Sequence, residues 1–151
     1  MSSVAVADHH DLAGLVALES AFPTAQRWSE DSWRDELAAT NRHVLVCRAE
    51  DALLAAATFA ISDDVVDLHR IVTSPLARRR GLATMLVSAG RAWAREQGAS
   101  RILLEVEDGN IPALALYRAE GFHPIAERRD YYGVGAHAVI LEQSLTKGEL
   151  S

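Results

Sequence analysis

Apolar residues recur along this chain at two spacings, and the spacing predicts which kind of element lies at each place. Leu15 and Leu18 are three residues apart, as on one face of a helix. Ile102, Leu104 and Val106 alternate with other residues, as on one face of a strand. The pattern predicts strands over residues 3–7, 43–49, 53–61, 65–72, 101–107, 122–128 and 136–145, and helices over residues 9–21, 30–40, 81–97 and 111–119.

Capping and stop residues support the predicted helix ends. Ser29 and Asn110 stand where an N-cap side chain would accept a hydrogen bond from the first turn. Gly98 and Gly121 follow the last residues of the two later helices, where a left-handed backbone commonly ends a helix. The proline in residues 22–24 interrupts the first helical pattern.

The order of these elements, βααβββαβαββ, predicts an α/β (α+β) fold with one central mixed sheet flanked by helices. The step from strand 65–72 through a helix to strand 101–107 is a crossover, so we expect these two strands to be parallel and the connection right-handed. A length of 151 residues predicts a single domain over residues 1–151.

Composition and charge exclude several classes of protein. A net charge of −6 argues against general binding of nucleic acid. No apolar run approaches the roughly 20 residues that a membrane span needs, so we expect no membrane partner. Residues 1–8 lack the basic start of a signal peptide, and the only cysteine, Cys47, predicts a buried thiol in a reducing cytoplasm. A monomer is favoured.

The turn over residues 74–83 carries the strongest chemical signal. It joins a predicted strand to a helix and contains Arg78, Arg79, Arg80 and Gly81. A helix N-terminus with unpaired N–H groups attracts anions, and the arginines add positive charge. This predicts a phosphate-binding turn. Ten acidic residues early in the chain, among them Glu19 and Glu36, suggest a second, cationic ligand, although a solvated acidic face is the favoured interpretation.

Three other groups of residues admit a structural or a functional interpretation. Glu105 is either an exposed strand carboxylate or a base, and Tyr117 either a packing residue or a proton donor. Trp28 and Trp33 either pack in the core or shape a substrate wall. The six histidines show no metal-ligand spacing, and His69 is interpreted as a hydrogen-bonded core or edge residue.

Arg78-Arg79-Arg80-Gly81-Leu82-Ala83 resembles the Arg/Gln-x-x-Gly-x-Gly/Ala motif of the GNAT superfamily of acyl-CoA-dependent N-acetyltransferases. The resemblance is closer to one family within it, the bacterial ribosomal-protein alanine N-acetyltransferases (RimI-like). It covers residues 20–140 in four stretches: Phe22-Pro23 with Trp28-Ser29-Glu30, Ile71 to Ala83, Leu104 to Tyr117, and Gly121-Phe122 with Arg128-Arg129-x-Tyr131-Tyr132.

The resemblance implies acetyl-CoA as co-substrate and no metal. It implies Glu105 as general base and Tyr117 as general acid. It implies a substrate mouth at Trp28, Tyr131 and Tyr132. Cofactor contacts are implied for Ile71, Val72, Thr73, Arg78, Arg79, Arg80, Gly81, Leu82, Ala83, Thr84, Asn110 and Tyr117.

The function expected from this resemblance is transfer of acetyl to the N-terminal α-amine, with alanine first, of a protein or peptide such as a ribosomal protein. Two alternatives stay open: acetylation of a small-molecule amine with the same cofactor site, and a non-catalytic acyl-CoA-binding module. The chain departs from the family in carrying His137-Ala138 where Asp-Ala is usual, and its loop after the tyrosine pair is short.

Overall fold

The structure of the protein is a computed structural model, and it describes residues 3–146. Within these residues, four helices and seven strands are interspersed with 3-10 turns at His9–Asp11, Thr24–Gln26 and Pro75–Ala77. The helices are α1 (Leu12–Glu19), α2 (Glu30–Ala38), α3 (Leu82–Glu96) and α4 (Ile111–Ala119). The strands are β1 (Val4–Val6), β2 (Arg42–Ala49), β3 (Ala52–Ser62), β4 (Val65–Thr73), β5 (Arg101–Glu107), β6 (His123–Gly133) and β7 (Ala136–Ser144).

The strands form one mixed sheet in the order β1-β2-β3-β4-β5-β7-β6. The predicted parallel pair is confirmed, because β4 pairs with β5 in parallel over Val65–Asp67 and residues 101–103. The other pairings whose register is resolved, β1–β2, β2–β3, β5–β7 and β6–β7, are antiparallel. The expected fold class, a mixed sheet with flanking helices, is therefore confirmed.

The chain forms two compact units. The first unit contains the described residues up to Ala60 together with Leu68–Gly90, and the second contains Ile61–Asp67 and the described residues from Arg91 onward. The single domain over residues 1–151 stays a prediction.

The first unit is built on an apolar core in which Leu15 of α1, Trp33 of α2 and Val46 of β2 are fully buried. Phe59 of β3 packs where α3 has no side chain: a Cβ atom placed on Gly90 would lie 2.0 Å from the Phe59 ring. Glycine at that position lets helix and sheet approach closely. Cys47 is buried, as expected.

In the second unit, β5 shows the predicted alternation, with Ile102, Leu104 and Val106 buried. Each of these residues has a partner in β7, and Leu104 faces Leu141. None of the helices in the described part of the chain is long and apolar enough to cross a membrane.

Most predicted boundaries agree with the structure to within two residues, and two do not. The helix predicted over residues 9–21 is a 3-10 turn followed by the shorter α1, and Asp8 caps the start of the turn by accepting the His10 N–H at 2.8 Å. The strand predicted to end at residue 128 continues to Gly133, with a register shift against β7 between Arg128 and Gly133.

Candidate active site

In the first unit, the end of β4 presents main-chain groups rather than side chains to a possible ligand. Val72 is buried in the apolar core, whereas Ile71 and Thr73 are half-buried. The Ser74 N–H donates to the Leu54 carbonyl at 2.8 Å, which fixes the exit of the strand. With the Val72 side chain turned into the core, a ligand at this strand end would be bound by main-chain groups.

The basic turn has the conformation that anion binding needs. Arg78, Arg79 and Arg80 are exposed, and the backbone turns left-handed at Arg79 (φ +68°) and Gly81 (φ +74°). No atom lies within 4 Å of a Cβ built on Gly81, so a ligand can approach the backbone closely. Because α3 begins at Leu82, the N–H groups of its first turn lack helical partners. The turn therefore suits a phosphate or pyrophosphate group.

The first residues of α3 differ in how deeply they are buried. Leu82 is buried, Ala83 is half-buried and Thr84 is exposed. Leu82 therefore fixes the start of the helix by packing, and its predicted contact with a cofactor would be made through its backbone.

A buried carboxylate, Glu19, organises the segment that contains Trp28. Glu19 is 2% exposed and accepts hydrogen bonds from the Trp28 N–H at 3.1 Å and from the Trp33 indole N–H at 2.9 Å. The Arg70 guanidinium donates to both of its oxygens, at 3.0 and 2.5 Å, and lies 5.7 Å from the Trp28 ring centroid. Trp33 is thus a core residue, whereas Trp28 is half-buried in a segment that Glu19 holds.

A second buried carboxylate, Glu36, bonds the predicted core or edge histidine. It accepts hydrogen bonds from Thr58 at 2.7 Å and Arg42 at 2.9 Å, and its Oε1 lies 3.1 Å from His69 Nδ1. Burial alone would raise the pKa of Glu36, but these three partners outweigh burial and lower the pKa to about 2. The interpretation of Glu19 and Glu36 as part of a solvated acidic face is wrong. Arg70 lies 51 residues from Glu19, and His69 and Thr58 lie 33 and 22 residues from Glu36, so the sequence carries no local signal for these contacts.

In the second unit, Glu105 lies beside the predicted substrate residues. Its Oε1 is 3.4 Å from a guanidinium nitrogen of Arg128, and the Arg128 guanidinium lies 5.3 Å from the Tyr131 ring centroid. Tyr131 and Tyr132, which are 54% and 46% exposed, meet edge to face with ring centroids 5.1 Å apart. Partial burial, followed by the negative charge of Glu105, raises the pKa of Tyr132. A carboxylate, a guanidinium and two phenols thus share one exposed face.

Tyr117 is 5% exposed near the end of α4, and its ring packs edge to face on Phe122 with centroids 5.9 Å apart. Burial raises the pKa of Tyr117 to about 12. A phenol with that pKa keeps its proton at neutral pH. It is therefore a hydrogen-bond donor, and complete proton transfer to a thiolate, whose thiol has a pKa near 8.5, is energetically uphill.

Asn110 is the N-cap that the sequence predicts, since its side chain accepts the Ala113 N–H at 3.3 Å. A cofactor contact through that side chain would compete with the cap.

The histidines include one feature that spacing did not predict. Possible ligand atoms of Asp8, His9 and His10 lie within 4.8 Å of one another, on an exposed turn. Asp8 already accepts a hydrogen bond from the His10 backbone, and nothing in the described residues adds a further ligand to this group.

Comparison with protein families gives one match that covers most of the chain. The model of the acetyltransferase (GNAT) family matches residues 12–122. The chain belongs to this family. The matched residues include parts of both units, and the expected superfamily is therefore confirmed.

Two curated relatives of this GNAT acetyltransferase point to different acceptors. The N-alpha-acetyltransferase RimI of Mycobacterium tuberculosis is 30% identical over 121 residues, which are 77% of this chain and 75% of the relative. An aminoglycoside N(6')-acetyltransferase of Serratia marcescens is 28% identical over 131 residues, 79% of this chain and 90% of the relative. Several other relatives are matched over less than half of their own length.

Solved structures share the fold at low sequence identity. The ribosomal-protein-S18-alanine N-acetyltransferase of Escherichia coli superimposes with a TM-score of 0.87 at 23% identity, covering 97% of this chain and 95% of the other. The Salmonella typhimurium protein yncA, solved with its cofactor acetyl-CoA, has a TM-score of 0.80 at 18% identity with the same coverage.

Proposed function

We propose that this GNAT acetyltransferase uses acetyl-CoA to acetylate the N-terminal α-amine of a protein or peptide, with alanine as the first residue. The observation that carries the proposal is the exposed face of the second unit, where Glu105 lies beside Arg128, Tyr131 and Tyr132. A carboxylate at an aromatic, solvent-accessible face is suited to receive a cationic amine from an extended chain.

The choice of an α-amine follows from acid–base chemistry. The pKa of an α-amino group is about 8, so roughly a tenth is neutral at pH 7, whereas a lysine amine is neutral in about one molecule in a few thousand. A modest base is therefore sufficient for an N-terminus. Glu105, which is accessible to water, would accept the proton of the amine directly or through one water molecule.

Acetyl-CoA would supply the acetyl group as a thioester; a C–N bond forms, the C–S bond breaks and the sulfur leaves with the bonding electrons. The Tyr117 hydroxyl, which keeps its proton, would donate a hydrogen bond to the departing sulfur. A main-chain N–H near Val72 would stabilise the oxyanion, a contribution on the order of 3 kcal/mol for a well-placed donor.

The first unit has the properties that binding of the cofactor needs. The exposed arginines 78–80, the accessible backbone at Gly81 and the start of α3 favour the pyrophosphate. The backbone of residues 71–73 would bind the pantetheine arm, and Ala83, Thr84 and Asn110 would make further contacts. Trp28, held by Glu19, would form part of the substrate wall.

Named relatives support the proposed acceptor. The relative from Mycobacterium tuberculosis is, by name, an N-alpha-acetyltransferase, and the Escherichia coli protein that shares the fold is named for an alanine of ribosomal protein S18. We therefore also propose a ribosomal protein as the partner. The lone buried thiol Cys47 is compatible with a cytoplasmic location, which is part of the same proposal.

A small-molecule amine is the second candidate, favoured by the match to the aminoglycoside acetyltransferase over 90% of that protein. The same carboxylate, Glu105, would then receive an amine of a small, polycationic substrate.

The test is a release assay for free CoA with purified protein, acetyl-CoA and peptides that begin with alanine and contain an internal lysine. We expect acetyl on the α-amine, located by mass spectrometry, and no reaction with the same peptides when the N-terminus is already acetylated. Turnover of aminoglycosides or polyamines alone would establish the second candidate. Thermal stabilisation by CoA without turnover of any amine would indicate a non-catalytic module.

A further inference from the structure

His137, which stands where the resembling family usually carries aspartate, is hydrogen-bonded to two other segments of the second unit, at Asp130 and at Asp108. Its Nδ1 lies 2.9 Å from the backbone nitrogen of Asp130, at the register shift of β6. Its own backbone exchanges hydrogen bonds with Asp108 after β5: the His137 N–H donates to the Asp108 carboxylate at 3.3 Å, and the Asp108 N–H donates to the His137 carbonyl at 2.9 Å.

The chemistry of the contact at Asp130 settles which group donates. A backbone N–H only donates, so the imidazole Nδ1 must accept, and a neutral ring then carries its proton on Nε2. The Asp130 carboxylate in turn accepts the Gly135 N–H at 2.8 Å, and one of its oxygens is 3.8 Å from His137 Nδ1. The His137 ring and the Asp130 carboxylate therefore each accept one backbone N–H of the hairpin.

These contacts hold a segment whose backbone conformation is unfavourable by itself. Asp130 has a φ of +55°, a left-handed conformation that costs energy for a residue other than glycine. Arg128 and Gly133 of β6 pair with Ala138 and Ala136 of β7, and the register shifts between them, so the ladder does not fix the intervening stretch. Tyr131 and Tyr132 lie within it.

We propose that His137 is a positioning residue for the acceptor: by accepting the Asp130 N–H it fixes the backbone from which Tyr131 and Tyr132 project. The inference rests on the proposed function, in which those tyrosines line the substrate mouth. The proposal requires a hydrogen-bond acceptor for the Asp130 N–H at the position of His137 Nδ1. An asparagine Oδ1 can occupy nearly that position, and an alanine offers no acceptor there.

The kinetic test compares H137A and H137N with the wild type, using the alanine-initiated peptides. H137A should raise the KM for the peptide about fivefold to tenfold, with kcat and the KM for acetyl-CoA unchanged within about twofold. H137N should restore the peptide KM to within about twofold of the wild type. H123A, which removes an exposed histidine from the neighbouring strand β6, is the matched control and should behave as the wild type.

A spectroscopic test does not depend on the acceptor. In ¹⁵N spectra of the imidazole nitrogens at pH 8, His137 should carry its proton on Nε2, and the Asp130 amide resonance should shift in H137A and return in H137N. A proton on Nδ1 overturns the inference, as does a wild-type peptide KM in H137A. A raised KM that H137N fails to rescue, with both variants folded by circular dichroism, also overturns it. If the wild type acetylates no peptide, the proposed function fails, while the spectra still decide whether His137 holds Asp130.

Discussion

Glu19 and Glu105 are both glutamates paired with an arginine, yet their surroundings are opposite. Glu19, in the first unit, is 2% exposed and accepts hydrogen bonds from two tryptophans and, on both oxygens, from Arg70. The Glu105 side chain, in the second unit, is 33% exposed, and its oxygen is 3.4 Å from Arg128, whose side chain is itself 53% exposed.

The difference separates a structural carboxylate from a chemically available one. Each carboxylate oxygen of Glu19 accepts two hydrogen bonds. Removing the carboxylate would therefore leave buried donors without their acceptor. Glu105 keeps contact with water and one loosely held partner, so it can exchange that partner for a substrate amine. Of these two similar pairs, the one at Glu19 stabilises the fold, and the one at Glu105 is the pair to which the proposed chemistry is assigned.

The largest expected effect is on stability, in E19A. Because Arg70 and the Trp33 indole would lose their acceptor in a buried place, we expect the free energy of unfolding to fall by about 3 kcal/mol. Urea denaturation measures it. E30A is the matched control, since Glu30 is an exposed glutamate that also pairs with an arginine, and it should cost less than about 1 kcal/mol. Equal losses of unfolding free energy in E19A and E30A would show that the buried carboxylate stabilises the fold no more than an exposed one.

The next effect is on catalysis, in E105Q. We expect kcat to fall about 100-fold, because the amide cannot accept the proton of the amine, while the free energy of unfolding changes by less than about 0.5 kcal/mol. E107Q, two residues further along the same exposed face of β5, should keep kcat within about threefold. Undiminished turnover in E105Q would take Glu105 out of the role of base.

Much of the fold could be predicted because its signals are local. The alternation of Ile102, Leu104 and Val106 predicted β5 correctly, and Ser29 caps α2 by accepting the Ser32 N–H at 3.0 Å. The place of β7 between β5 and β6 is a matter of distant pairing, and no local pattern encodes it. The strand end at Gly133 was missed because Asp130, Gly133 and Gly135 are typical of a loop, and the register shift makes the pattern irregular.

The candidate site divides in the same way. The basic turn and Glu105 could be found from sequence because motif spacing and strand alternation mark them, and the structure gives both the exposure that their proposed roles need. The networks of Glu19 and Glu36 could not be found. Their partners, Arg70 and His69, lie 51 and 33 residues away, and only folding makes them neighbours.

A smaller effect is the contribution of Glu36 to the stability of the protein at low pH. Its hydrogen-bond partners hold its pKa at about 2 in the folded protein, below the value near 4.5 of an unfolded chain. A carboxylate with a lowered pKa stabilises the fold above pH 4.5, and that contribution is lost as the pH falls toward 2. We expect the stability advantage of the wild type over E36Q to shrink by about 1 kcal/mol between pH 5 and pH 3, allowing for solvent screening. Parallel curves for the two proteins would show that Glu36 is not held in this way.

The smallest effect, and the one that tests the availability of Glu105 most directly, belongs to Arg128. An exposed ion pair contributes little, so R128A should change the free energy of unfolding by less than about 0.5 kcal/mol. The guanidinium and the ammonium of an acceptor would compete for the same carboxylate. Removing the guanidinium should therefore lower the KM for the peptide, by about threefold or less.

Salt distinguishes this competition from a change of shape. Screening weakens exposed ion pairs, so the difference in peptide KM between R128A and the wild type should be largest at 20 mM NaCl and nearly absent at 500 mM. R129A, the neighbouring exposed arginine of β6, serves as the control and should leave the KM unchanged. A higher KM in R128A at every salt concentration would mean that Arg128 binds the acceptor through its contact with Tyr131. In that case Glu105 would be less available to a substrate amine than its exposure suggests, and the two carboxylates, Glu19 and Glu105, would differ less in availability.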